Sequence, residues 1–294
     1  VTARNTGAGD RESALRPQVP ERLSASMPSL PPSPSLPSSA PSAVVCALRA
    51  AGCVFAEDEA ELLLATARTP DELSAMVDRR VAGLPLEHVL GWAGFHGLRI
   101  EVEPGVFVPR RRTEFLIDQA LAEAPGARVV VDLCCGSGAL GAALADALGP
   151  VEVHAADIDP AAVRCARRNL ARYDGRVHAG DLFDALPAAL RGRVGILTAN
   201  VPYVPSSEVA LLPAEARDHE PLTALDGGAD GLDVLRRVAA GAPEWLAPGG
   251  CLLTETGEHQ ARAAVQAFAD AGLTTRLAVP EELFAHVVIG VRER

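Results

Sequence analysis

The 294-residue chain contains no lysine; all 27 of its basic residues are arginine. That absence excludes a lysine Schiff base and a phosphate-loop lysine as chemical devices. Aromatic residues are scarce at 4%, so any core must be aliphatic, drawn from an apolar fraction of 48%. No apolar run approaches the ~18 residues that would span a bilayer, so no membrane partner is expected. The six cysteines, Cys46, Cys53, Cys134, Cys135, Cys165 and Cys251, form no C-x-x-C pair and fit no disulfide or zinc framework. They read as reduced thiols of a cytoplasmic protein. The seven histidines show neither H-E-x-x-H nor H-x-x-E-H spacing, and no metal site is assigned. Against the arginines stand 38 acids, a net charge of −11. Such a balance argues against duplex DNA as the main partner, because a DNA binder must replace condensed counterions with its own cations.

At roughly 150 residues per domain, the length alone allows two domains. The composition divides the chain differently. Ser24–Ala43 holds eight Ser and six Pro, too little apolar surface to offset the entropy of ordering it. Residues 1–42 therefore read as a disordered tail, and Met27 as a candidate for the true start. No apolar block of about 7–15 residues marks a secretory signal there. The tail carries four Arg and three acids, which leaves the remainder near −12. Residues 43–84 read as a small helical region. Its helices span about 43–51, 57–67 and a third opened by the capping box Thr69-Pro70-Asp71-Glu72. Residues 85–124 read as a connecting hairpin and helix. Leu98, Ile100 and Val102 alternate as in a strand, Pro104-Gly105 turns, Val106–Val108 continues, and Thr113 caps a helix to Ala124.

From residue 125 to 294 the pattern alternates strand and helix. Strand-like runs occupy 128–133, 151–156, 176–179, 194–199, 251–256, 273–279 and 286–291. Helical stretches lie at about 139–148, 161–173, 187–190, 232–240 and 260–271. The fold class is α/β: a mostly parallel seven-stranded sheet with helices on both faces. The last two runs lack a helix between them, so one of them enters antiparallel.

The first of these strands runs into Asp132-Leu-Cys-Cys-Gly-Ser-Gly-Ala-Leu-Gly141, in which Gly136, Gly138 and Gly141 spell G-x-G-x-x-G. Small residues there bring backbone N–H groups close to a ligand at a helix N-terminus. Asp157 ends the second strand, 19 residues past Gly138, where an acid can hold a ribose diol. Asp181-Leu182 follows the third, where a carboxylate and an apolar side chain can meet an adenine. Taken singly, each acid could equally be a helix N-cap. A dinucleotide is the competing ligand. The acid Asp132 just before the loop fits S-adenosylmethionine better, because its methionine end carries an ammonium group.

The fourth strand ends at Asn200-Val201-Pro202-Tyr203. An amide or exocyclic amine is a poor nucleophile, and positioning one takes two acceptors for its two N–H groups. The Asn200 side chain and the Val201 carbonyl supply them. Val201 is pushed to an extended conformation by the proline after it. Tyr203 can wall a flat acceptor group and face a sulfonium. A Pro-containing turn is the plainer alternative.

With these stretches the chain resembles the HemK/PrmC-type protein-glutamine N5-methyltransferases, within the Rossmann-like class I methyltransferases that use S-adenosylmethionine. The likeness also draws on Pro85–Gly91, Pro104–Arg110, Thr113-Glu114, Glu220-Pro221, Ala224–Gly228 and Asp230–Leu232. It implies that S-adenosylmethionine contacts Cys134, Cys135, Gly136, Ser137, Gly138, Asp157, Asp181, Leu182 and Asn200. It further implies that Asn200, Val201, Pro202 and Tyr203 hold a substrate glutamine, with Asn200 and Tyr203 catalytic, and that this glutamine lies in the Gly-Gly-Gln motif of a release factor. The expected enzyme is a monomer acting on a protein and not on nucleic acid. Departures from the family pattern are Val201 for a proline, Cys134 for a glycine, and Arg111-Arg112 for a proline and an acid. The loop tolerates Cys134 if its φ is negative. The Arg110–Arg112 run is either a solvated cluster or, at Arg110, part of the cleft mouth. Adenine methylation in DNA, methylation of another protein, and cofactor binding without catalysis are the alternatives.

Overall fold

The computed structural model describes residues 40–280 and 285–294. Three helices come first: α1 (Ala40–Ala50), α2 (Ala56–Thr66) and α3 (Pro70–Val81), followed by a short α4 (Leu86–Leu90). They share an aliphatic core that includes Val44, Leu48, Leu63, Leu73, Met76 and Val89. The start of α3 follows the sequence reading: the Glu72 N–H donates to the Thr69 hydroxyl at 3.1 Å. The Glu72 carboxylate reaches back to the Arg68 N–H at 2.8 Å, one residue before the cap. Helix α1 begins at Ala40, inside the stretch assigned to the tail. Pro41 sits in its first turn, where its missing N–H is not needed. The rest of that stretch, Met27 included, lies outside the described residues.

The hairpin differs from the sequence expectation. Strand β1 (Trp92–Phe95) pairs antiparallel with β2 (Leu98–Glu101), Trp92 opposite Glu101. The turn is His96-Gly97, at φ 47° and 75°, not Pro104-Gly105. A two-residue hairpin turn needs this left-handed pair to match strand twist. Val106 and Val108 are buried but belong to no strand; they lead into α5 (Glu114–Glu123). Thr113 precedes α5 without capping it through its side chain, because its hydroxyl donates to Glu255 instead.

The alternating region runs β3 (Val129–Leu133), α6 (Ala139–Leu148), β4 (Glu152–Asp157), α7 (Pro160–Leu170), β5 (Arg176–Ala179) and β6 (Val194–Ala199). Short helices α8 (Ala214–His219) and α9 (Leu222–Leu225) follow, then α10 (Asp233–Trp245), β7 (Leu246–Thr256), α11 (Ala261–Asp270), β8 (Thr274–Ala278) and β9 (His286–Val291). The helix expected at 187–190 is a single 3-10 turn. Helix α10 outruns its expected end and crosses Pro243. The seven strands order as β5-β4-β3-β6-β7-β9-β8. Only β9 runs against its neighbours, pairing antiparallel with both β7 and β8.

Successive strand side chains alternate faces. Val129, Val131 and Leu133 join a core with Leu235 and Trp245 of α10 and Phe268 of α11. Val130 joins the opposite core, with Ile117 of α5, Leu144 of α6 and Leu170 of α7. The chain moves outward from β3 through β4 to β5, then returns to the other side of β3 as β6. Segments leaving the carboxyl ends of β3 and β6 therefore diverge and leave a crevice, the usual ligand position in such sheets. Among the described residues, no helix is long and apolar enough to cross a membrane.

Candidate active site

A cleft of about 490 Å³ opens at the carboxyl ends of β3, β4, β5 and β6. Of the residues that the resemblance assigned to cofactor or substrate, it brings together all except Gly138. Gly138 lies beneath the loop at φ 78°, where a Cβ would come within 3.2 Å of the Ala166 backbone. Its role is to let α7 pack close.

The glycine loop is tied to the next strand through Asp157. The carboxylate takes the Gly136 N–H on Oδ2 at 2.8 Å and the Asp159 N–H on Oδ1 at 2.9 Å. Each oxygen has a second lone pair left for a ligand hydroxyl. Burial raises the Asp157 carboxyl above its ordinary range. The cap of α7 is Asp159, which accepts the Ala161 N–H at 2.8 Å, so Asp157 is free of that duty. Asp181 pairs with Arg237 of α10 at 2.6 Å. Leu182 beside it is buried at φ 49°. Ile158 was passed over in the sequence; it lines the cleft with 61% of its surface exposed.

Cys134 overturns one expectation. Its φ is 52°, not negative. The chain must leave β3 sharply while the Cys135 N–H still reaches the Ala156 carbonyl at 3.1 Å, and a left-handed residue makes that bend. Burial pushes both the Cys134 and the Cys135 thiols up, so neither is a thiolate nucleophile. Asp132 also differs from expectation: it does not line the cleft. Fully buried, it accepts the Gly141 N–H on Oδ2 and the Thr198 hydroxyl on Oδ1, both at 3.0 Å. Burial raises its carboxyl from 3.8 to about 7.

The segment Asn200–Tyr203 is held almost wholly through its main chain. The Thr254 hydroxyl donates to the Ala199 carbonyl at 2.6 Å, and Gln260 Nε2 donates to the Tyr203 carbonyl at 2.7 Å. The chain beyond it zips onto residues 224–231. The Val204 N–H donates to Leu225, and the Gly227 N–H returns to Val204, both at 2.9 Å. A Cβ at Gly227 would sit 2.6 Å from the Pro202 carbonyl oxygen, so only glycine permits that approach. The stretch Ala224–Gly228 thus acts as a brace for the tetrapeptide. Asn200 Oδ1 is buried and has no hydrogen-bond partner.

The arginine run splits. Arg111 is exposed, as a solvated cluster would have it. Arg110 donates to Glu220 Oε1 at 2.6 Å, and the Val108 N–H reaches the same oxygen at 3.2 Å. Only 1% of the Glu220 side chain is exposed, and burial raises its carboxyl. Arg112 donates through Nε to Glu255 Oε1 at 2.7 Å and through Nη2 to the Tyr203 hydroxyl. Glu255 and Gln260 gave no signal in the sequence, since neither sits in a recognisable spacing. Among the described residues, no three His, Cys, Asp or Glu side chains cluster as metal ligands.

Two outcomes follow from this geometry. A left-handed non-glycine residue costs about 1 kcal/mol or more, so Cys134→Gly is more stable than Cys134→Ala by about that amount. Paired denaturant melts measure the difference with the side chain removed in both. For Asp132, the unfolded chain loses the proton near pH 3.8 while the folded chain keeps it to about pH 7. Its contribution to stability therefore falls as pH rises through that window and is level above it. Wild type accordingly loses stability relative to Asp132→Asn between these values, as thermal melts across pH report.

A model of the Methyltransferase small domain matches residues 97–209. A release factor glutamine methyltransferase from Geobacter sulfurreducens is 39% identical over 208 residues, covering 69% of this chain and 72% of that protein. Another from Mycolicibacterium smegmatis is 39% identical over 232 residues, covering 77% and 82%. A methyltransferase structure from Pyrococcus furiosus is similar in fold, with a TM-score of 0.52 at 17% identity over 67% of this chain and 90% of that one. With its Rossmann-like sheet, its glycine loop and these relatives, the chain belongs to the release factor glutamine methyltransferase family.

Proposed function

We propose that this protein transfers a methyl group from S-adenosylmethionine to the side-chain amide nitrogen of a glutamine, in the Gly-Gly-Gln motif of a peptide chain release factor. The observation that carries the reading is Asn200 Oδ1, a buried acceptor without a partner. Leaving such an atom unpaired costs about 1–3 kcal/mol, and the N–H of a primary amide removes that cost. It stands at the carboxyl end of β6, in the same cleft as the glycine loop.

The residues fit the cofactor. The cleft is within the size range of small-molecule sites. The loop Cys134–Ser137 offers small residues at the start of α6, so a ligand can approach its backbone closely. Asp157 has lone pairs free for a diol, and Ile158 and Leu182 are apolar neighbours for a flat base. S-adenosylmethionine, when bound, supplies an electrophilic methyl carbon. The chain's own residues do the positioning. Asn200 Oδ1 and the Val201 carbonyl accept the two amide N–H groups and turn the nitrogen toward the donor. Tyr203 walls the acceptor. Holding reactants in line can supply up to ~7–11 kcal/mol of barrier reduction. No base is required beforehand, since the proton can pass to water after transfer.

A second protein substrate is the other reading. Val201, Arg111 and Arg112 favour it, since all three depart from the family pattern around the acceptor. Either way the reading is of a cytoplasmic monomer, and the acidic balance of the chain favours a protein over nucleic acid as its partner.

The test is incubation with labelled S-adenosylmethionine, purified release factor and cell extract. Label and a methyl-sized mass gain on the Gly-Gly-Gln glutamine are expected, and are lost when that glutamine is changed to alanine. Label on another protein alone selects the second reading. Cofactor binding with no labelled protein in any arm overturns both. Asn200→Ala lowers kcat on the order of 10²–10³, a loss that saturating cofactor does not restore. Asp157→Ala does the reverse, weakening cofactor binding in calorimetry.

A further inference from the structure

We propose that Arg112 is a positioning residue that fixes the ring of Tyr203 against the acceptor site. The inference rests on the reading of Tyr203 as the wall of that site. Tyr203 is held at both ends. Its carbonyl takes the Gln260 Nε2–H at 2.7 Å, and its phenol oxygen takes an Arg112 Nη2–H. With the backbone end and the hydroxyl both tied, the two side-chain torsions have no freedom left to swing the ring.

Arg112 is itself aimed by a built support. Its Nε donates to Glu255 Oε1 at 2.7 Å, and the other oxygen, Oε2, takes the Thr113 hydroxyl at 2.6 Å. Glu255 lies near the carboxyl end of β7 with 4% of its side chain exposed. A carboxylate so placed needs its partner; the planar guanidinium fork then satisfies Glu255 with one edge and Tyr203 with the other. Burial beside Glu255 raises the Tyr203 phenol above its ordinary range. It therefore stays neutral and accepts the Arg112 N–H at working pH. Arg112 and Tyr203 both line the cleft, so the clamp borders the chemistry and is not a distant surface pair.

The chain has two tyrosines, and Tyr173→Phe leaves Tyr203 alone to report. In that background, ring-labelled tyrosine NMR of the cofactor-free protein needs no substrate. Arg112→Lys keeps a cation beside Glu255 but lacks the fork, so it tests the clamp without unpairing a buried charge. The expected result is a shifted or broadened Tyr203 signal in Arg112→Lys. With it come a fall in kcat on the order of 10–10²-fold, a KM for S-adenosylmethionine within about two-fold, and no further fall when Tyr203→Phe is added. An unmoved Tyr203 signal, an unchanged kcat, or losses that multiply in the double variant overturn the proposal. If wild type labels no acceptor at all, the methyl-transfer reading has failed, and the NMR arm alone still decides the clamp.

Discussion

Asp132 ties together the three elements that make the cleft. It sits on β3, accepts the Thr198 hydroxyl from β6, and accepts the Gly141 N–H from the first turn of α6. β3 and β6 are the pair at which the chain reverses direction across the sheet, and their carboxyl ends must part for a crevice to exist. One buried carboxyl therefore sets the spacing between the glycine loop and the tetrapeptide. Burial raises its carboxyl to about 7, so below that pH the group is neutral and costs less desolvation. An ammonium-facing acid was the simpler inference from the sequence. The position is instead architectural, and the cleft wall is left to Asp157 and Asn200.

The Asn200–Tyr203 side of the cleft is organised by main-chain contacts from distant segments. Ala199, Tyr203 and Val204 are each held by a different partner: Thr254 on β7, Gln260 before α11, and the strip 224–227. Such contacts fix backbone direction without filling the cleft, so Asn200 Oδ1 can be left unpaired. Strain is placed on the glycine-loop side of the cleft, where Cys134 and Leu182 both adopt left-handed conformations. Both belong to segments that must turn sharply off a strand end.

How much of this is legible in sequence depends on the range of the interaction. The glycine loop, Asp157 and Asn200–Tyr203 could be read because a strand end or tight turn dictates residue types within a few positions. The parallel sheet was legible for the same reason, from hydrophobic period alone. The hairpin at His96-Gly97 was missed because His-Gly is not among the strong hairpin-turn pairs, and the sign of φ at Cys134 because cysteine seldom adopts a left-handed conformation. Arg112 with Glu255, 143 residues apart, and Gln260 with Tyr203, 57 apart, leave no local pattern. The first exists because the start of α5 packs on β7, the second because β6 and β7 lie side by side. The strip Ala224–Gly228 could be recognised by resemblance, but its bracing role needed the Gly227 approach to Pro202.

The Gln260 contact has a consequence for how the protein is made. During synthesis the glycine loop and Asp157 can meet as soon as β3 and β4 have emerged, since their partners lie close in the chain. The tetrapeptide cannot be fixed then, because Thr254, Glu255 and Gln260 are still unsynthesised. The partners of the two halves therefore become available at different times, those of the glycine loop first and those of Asn200–Tyr203 last. A chain ended by a premature stop ahead of β7 would keep the segments of the first half and lack those that fix the second.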